Sequence, residues 1–422
     1  MSTTAESITE HGSAAHTAAL RARFAPILER LADGVVARDA ARELPLVGVA
    51  ELAAAGFGSL RVPVEFGGEG VSLEQLFELL TDVATADPNA AQALRGHLAF
   101  VEDRLVARPD ASRQEWFARF VAGELAGNAW TDAAAAAQGV ISTQLTRSGE
   151  DWVLNGTKFY STGSLFAQWI DVYAYSPELQ ADVIALVRTD QPGAALSDDW
   201  NGFGQRTTGT GTTVFTDAVV KTEDVILAEH RFGYQTAYYQ QVLLATLAGI
   251  ARSAANEISG ALRGRARGYS HGAAATPAND PQLLAVVGEA DAVAFAAAAV
   301  VTRASQALDA AADAALARWD GGALEVDYST SPQDEEAELA TARGQVVLSR
   351  LVPESATRIF DALGASGTDT GKGLDRHWRN ARTVSSHNPW VYKARVLGDA
   401  AVNGAIAPKV WSVGTAVPQK TA

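Results

Sequence analysis

Residues 155–163 read Asn155-Gly156-Thr157-Lys158-Phe159-Tyr160-Ser161-Thr162-Gly163 and continue the β-rich run Trp152-Val153-Leu154. They sit in a region, from about 127 to 228, where short runs of β-branched and aromatic residues (141–147, 152–154, 169–175, 183–187 and 213–215) are separated by Gly, Asp, Ser and Pro. That pattern predicts a compact antiparallel β domain.

On either side of this region the period lengthens. Before it, Ser72 is a candidate N-cap for a helix whose Leu76, Leu79, Leu80 and Val83 recur at i, i+3, i+4 and i+7, and Asp87-Pro88 ends that helix before a second one through Leu94 and Leu98. After it, helical stretches are predicted over 235–267, 281–319, 333–363 and 387–404, with Gly- and Pro-containing breaks between them, which is the count for a four-helix bundle. The chain is therefore read as mainly α with a central β domain: an N-terminal helical domain over 1–126, a β-barrel or sandwich over 127–233, and a helical bundle over 234–422.

Composition narrows the chemistry. The 422 residues are 47% hydrophobic and 20% charged, a globular composition. A formal net charge of −15 argues against a nucleic-acid or anionic-membrane partner and favours a small-molecule one. The absence of cysteine excludes disulfides and thiolate nucleophiles, so redox work requires a borrowed cofactor. The N-terminus lacks a basic segment followed by an apolar core, and the most apolar stretch, 292–301, is short and alanine-rich; a cytoplasmic protein without a membrane span is expected.

The seven histidines (His11, His16, His97, His230, His271, His377 and His387) form no i, i+4 pair with an accompanying acid, so no metal site is expected. Gly202-Phe203-Gly204 and Gly209-Thr210-Gly211 lack the third glycine and following helix of a dinucleotide fingerprint, and neither a nucleophile elbow nor a Walker loop is present.

Four segments in register carry a resemblance. Residues 57–68 (Phe57-Gly58-Ser59-Leu60-Arg61-Val62-Pro63-Val64-Glu65-Phe66-Gly67-Gly68), Trp130-Thr131-Asp132, the 155–163 segment and Asp375-Arg376-His377-Trp378-Arg379-Asn380 follow the order of motifs in the acyl-CoA dehydrogenase superfamily. The resemblance implies that fold and a flavin between the β domain and the C-terminal bundle. It implies that Thr131 and Thr162 hydrogen-bond the pyrimidine edge and N5 region of the isoalloxazine, that Trp130 walls the ring, and that Arg267, beside Arg263 and Arg265, meets the cofactor phosphate.

Dehydrogenases of that superfamily abstract a proton with a glutamate. Here the segment from Asp375 to Asp399 contains no carboxylate between its ends, and His387 stands near the glutamate's place. In this it resembles the flavin-dependent monooxygenase branch, of the dibenzothiophene and alkyl sulfone monooxygenase type, as do Asp198-Asp199-Trp200 and Gly204-Gln205-Arg206-Thr207. The resemblance implies a two-component enzyme: reduced FMN, with FAD the alternative, arrives from a separate NAD(P)H:flavin reductase and forms a C4a-hydroperoxide shaped by His387 and His97. Oxygen is then transferred to sulfur, nitrogen or an activated carbon. A homotetramer built through the C-terminal bundle is also implied.

Two rival readings are a dehydrogenase or oxidase with its base relocated to Glu257, and a flavin-free scaffold of the same fold. The dibenzothiophene enzymes carry a His and a Tyr where Gln92 and Gly96 stand, an Asn near Ala133, a Ser at Thr162 and a second His at Val384, so the resemblance does not extend to the substrate. Glycine at position 96, in place of a ring, is expected to widen the pocket.

Overall fold

The computed structural model describes residues 14–132, 140–319 and 330–409. His11 and the alanine run at 133–137, Ala133 included, lie outside them.

The N-terminal region holds α1 (Ala14–Ala41), α2 (Leu46–Ala54), α3 (Leu73–Ala86), α4 (Pro88–Ala93), α5 (Arg95–Val106) and α6 (Ala111–Val121). Ser72 caps α3 in a full capping box with Gln75, and Asp87 caps α4 with Pro88 in the first turn, where a missing N–H costs nothing. The expected second helix is two: α4 and α5 meet at Leu94, and Arg95 therefore begins a helix instead of lying mid-helix.

The middle region is one nine-stranded sheet: β1 (Ala126–Ala129), β2 (Thr131–Asp132), β3 (Gln144–Ser148), β4 (Asp151–Phe159), β5 (Trp169–Ser176), β6 (Ala181–Arg188), β7 (Ala194–Leu196), β8 (Thr213–Val220) and β9 (Val225–Leu227). The principal order is β7-β8-β4-β3-β5-β6-β9. The expectation of a purely antiparallel domain is corrected, because β1 runs parallel to β5 over four residues and β3 meets β5 in parallel at Gln144 and Tyr175. Local alternation specifies which residues face inward but carries no information about strand direction.

The C-terminal region holds α7 (Gln235–Arg263), α8 (Pro281–Ala317), α9 (Pro332–Arg358), α10 (Asp375–Ser386) and α11 (Lys393–Asn403). The fourth bundle helix is α10, which packs on both α7 and α9, and not the predicted 387–404 stretch, whose helix α11 lies against α9. The inward face of α10 is Arg376, His377, Asn380, Ala381 and Val384, too polar for a hydrophobic pattern to reveal. By length and composition α8 is apolar enough to cross a membrane, yet only 17% of its most apolar window is buried within the protomer.

One hydrophobic core runs through the N-terminal helices and the bundle, and a second fills the sheet. The first is stitched by Tyr238, whose hydroxyl donates to the Leu98 carbonyl at 3.1 Å while its ring meets Phe77 edge-on at 5.2 Å. The three regions are also tied through residues 198–212. Gln205 N–H donates to Asn380 Oδ1 at 2.7 Å, Thr207 N–H to Asn89 Oδ1 at 3.3 Å, and Arg206 to the Asp39 carbonyl at 2.9 Å.

Candidate active site

The sheet presents Trp130 at the step from β1 to β2. Its indole donates to Asp171 Oδ1 at 2.8 Å, stacks on Tyr173 at 5.5 Å and meets the edge of Tyr239 at 5.8 Å. Asp171 in turn pairs with Arg231 at 3.0 Å, and Arg231 reaches Asp103 at 3.3 Å and lies over the Trp130 ring at 5.4 Å. Burial raises the Asp171 pKa despite the opposing pull of Arg231. The indole plane is thus fixed at its nitrogen by Asp171 and against the ring of Tyr173.

Thr131, next along, is half-buried in β2 opposite Phe159. Thr162 is buried, and its hydroxyl is 2.8 Å from that of Thr210, itself 2.8 Å from Thr208. The following Gly163 has φ 79°, and a Cβ there would stand 2.1 Å from the Ala93 carbonyl. Only glycine allows this approach, which presses the Thr162 loop against α4. Around this edge several buried polar atoms have no partner among the described residues: Asn128 Oδ1, Ser164 Oγ, Gln92 Oε1 and the Tyr239 hydroxyl. Buried polar atoms are ordinarily satisfied, so this clustering marks a place where a ligand supplies the missing bonds. A planar ring system edged with donors and acceptors, as a flavin is, fits the Asn128, Ser164 and Gln92 atoms of that set.

His387 ends α10 as its C-cap, with its N–H donating to the Val384 carbonyl at 3.2 Å. Surrounding protein lowers its pKa and the charge of Arg95 lowers it further. The residue is nonetheless exposed, and hydration moderates the first effect. A hydrogen bond with the Asn388 side chain works in the opposite direction, and the net shift leaves the imidazole neutral at pH 7.

His97 is placed differently. It is 1% exposed, Nε2 donates to the Gly58 carbonyl at 3.0 Å, and Nδ1 accepts the Ala126 N–H at 3.2 Å. Both ring nitrogens are spent on backbone, so His97 ties the 57–68 segment to the start of β1 and has none left for a ligand. Burial takes its pKa down to about 4.

Arg267 is also set apart. Tyr239, which meets Trp130, and Arg263 stand on the single helix α7, about 36 Å apart at the helical rise. Arg265 then bonds the carbonyls of Arg267 and Ala362, which keeps Arg267 at the far end. Arg267 therefore does not reach a ligand resting on Trp130 of its own chain.

Glu257 is ion-paired with Arg376 and sits 3.1 Å from His377 Nε2; despite its partial burial, these partners hold its pKa down to about 2. A carboxylate so stabilised is a poor base. Gly96 does not widen the pocket as expected, because a Cβ there would meet the Asn128 side chain at 2.9 Å and backbone nitrogen at 3.0 Å. A groove of about 550 Å³ between α1, α3 and α7, lined by Phe24, Leu28, Leu79 and Arg252, contains none of the candidate cofactor residues.

Sequence reasoning passed over Arg95, Asp171, Arg231 and Tyr239. Isolated polar residues in helices and strands carry no periodic signal, and their significance emerges only from what they pair with across domains.

Family models for the acyl-CoA dehydrogenase middle domain and C-terminal domain match residues 129–218 and 242–390. The chain is 28% identical over 375 residues to a dibenzothiophene monooxygenase of Mycolicibacterium goodii, covering 84% of this chain and 86% of that protein. It is 27% identical over 357 residues to a probable FMNH2-dependent monooxygenase of Pseudomonas putida, covering 82% and 86%. In fold it matches the crystal structure of a Paenibacillus sp. A11-2 protein in complex with FMN and indole, with a TM-score of 0.82 at 24% identity over 92% of this chain and 98% of that one. The chain belongs to the acyl-CoA dehydrogenase superfamily, on the branch of its flavin-dependent monooxygenases.

Proposed function

We propose that the protein is the oxygenase component of a two-component system, taking reduced FMN from a separate NAD(P)H:flavin reductase and inserting one oxygen atom of O2 into a small organic substrate at sulfur, nitrogen or an activated carbon. The observation that carries this is the placement of the His387 imidazole at the end of α10, in a segment without a carboxylate, while the relocated acid, Glu257, is locked to Arg376 and His377.

Trp130 would wall the flavin ring, Thr131 and Thr162 would bond its polar edge, and the orphaned atoms of Asn128 and Ser164 would complete that edge. When bound, reduced flavin supplies the electrons that activate dioxygen. His387 donates a hydrogen bond from one nitrogen and keeps the other as an acceptor, so a proton donor stands beside the reacting oxygen. The arrangement of Trp130 against Tyr173 and Tyr239 keeps water from one face.

The distance along α7 supports a further element of this reading. Arg267 would serve the cofactor phosphate of a neighbouring copy, in a homotetramer whose subunits cover the exposed apolar surface of α8.

Titration of the anaerobic protein with reduced FMN, followed by mixing with oxygenated buffer and a panel of acceptors that includes an alkyl sulfide and benzenesulfinate, tests this directly. The expected result is saturable binding and oxygenated product with little H2O2. A protein that binds neither oxidised nor reduced FMN, or whose bound flavin is bleached by an acyl-CoA, would overturn it.

A further inference from the structure

Among the described residues four arginines are buried: Arg95, Arg104, Arg231 and Arg376. Three have carboxylate partners, namely Asp103 for Arg104, Asp103 and Asp171 for Arg231, and Glu257 for Arg376. Arg95, 8% exposed at the start of α5, has none among the described residues. Its only hydrogen bond there runs from Nε to the Tyr239 carbonyl at 3.5 Å, and its guanidinium lies 4.2 Å above the Tyr239 ring. A ring face and one distant carbonyl do not neutralise a desolvated charge, and burial accordingly brings the Arg95 pKa down to about 10.

A buried cation without a counter-ion costs several kcal/mol. A chain that has matched each of its other buried arginines keeps such a group where the opposite charge arrives from outside. The position favours a substrate. The charge of Arg95 acts on His387, and the phenol of Tyr239, over whose ring Arg95 lies, is a buried hydroxyl without a partner. An oxyanion that presents two oxygens side by side in this space would take two parallel bonds from the guanidinium fork and a third from the phenol, which is the geometry guanidinium groups recognise best.

We propose that Arg95, with the Tyr239 hydroxyl, anchors the acid group of the substrate, so that this enzyme acts on a small organic oxyanion such as a sulfinate or carboxylate rather than on a neutral compound. This assignment rests on the monooxygenase reading for what happens to the bound molecule, but not for the binding itself.

The test uses the full-length protein without flavin and isothermal titration with benzenesulfinate, benzoate and the neutral methyl phenyl sulfoxide, together with FMN binding measured separately. The expected result is saturable binding of both anions, about 100-fold weaker in Arg95→Met and partly retained in Arg95→Lys, with the sulfoxide weak in all three proteins. Arg95→Met should melt no lower than wild type, because it removes an unpaired buried charge; a marked fall would indicate a merely structural arginine. The proposal is overturned if wild type binds neither anion, if the sulfoxide binds as well as benzenesulfinate, or if Arg95→Met loses FMN affinity while keeping benzenesulfinate. Arg95-dependent anion binding in a protein that takes no reduced FMN would instead sink the monooxygenase reading and leave the anion site standing.

Discussion

The Trp130 indole donates to the Asp171 carboxylate at 2.8 Å, joining the residue proposed to wall the flavin to a buried charge network running through Arg231 to Asp103 on α5. Trp130→Phe keeps a flat wall but leaves one carboxylate oxygen of Asp171 without its donor. We expect a stability loss of about 1–3 kcal/mol and weaker FMN binding, read from denaturant unfolding and from flavin titration. Unchanged affinity would remove Trp130 from the cofactor wall.

His97 should act on stability through pH. The unfolded chain takes up its proton near 6.5 and the folded chain only near 4, so the folded state loses stability as pH falls from 6.5 towards 4, by roughly 3 kcal/mol in total. His97→Gln should be less stable at pH 7 and show a smaller stability change across that window. Urea midpoints at a series of pH values decide it.

For His387→Ala the readout is coupling. With reduced FMN and O2 supplied, flavin should still reoxidise, but H2O2 should rise at the expense of product, with product formation falling about 100-fold. Equal product yields in mutant and wild type would exclude the imidazole from the chemistry.

Glu257→Gln separates the desaturating alternative. Loss of the carboxylate breaks the links to Arg376 and His377 and should lower the melting temperature, while oxygenation at temperatures where the fold persists stays near wild type. Acyl-CoAs should bleach the flavin in neither protein.

Arg267→Ala should weaken FMN binding without lowering the melting temperature of the protomer, since Arg267 is exposed at the far end of α7. If flavin affinity is unaffected, the neighbouring-copy role fails.

Patterns that repeat locally were legible in the sequence. The Ser72 cap of α3, the Asp87-Pro88 break and the long bundle helices follow from periodicity and capping chemistry, which act over a few residues. What escaped was non-local. The direction of β1 against β5 depends on residues some forty positions apart. The fourth bundle helix buries Arg376, His377 and Asn380, whose polarity is acceptable only because Glu257 and the 198–212 segment receive them. His97 and Arg95 were alike as isolated polar residues near one helix start; in three dimensions one is satisfied by backbone and the other is not.

The segment at 198–212 belongs to the middle region and is fastened to the other two, by Arg42 to Asp198 and Asn89 to Thr207 on the N-terminal side and by Asn380 to Gln205 on the bundle. It works as a cross-brace. A molecule braced in this way cannot rock its domains apart to admit cofactor and substrate without tearing several bonds at once. Entry and exit would then fall to side-chain swings and loop motion at the solvent-facing rim, where His387 is exposed.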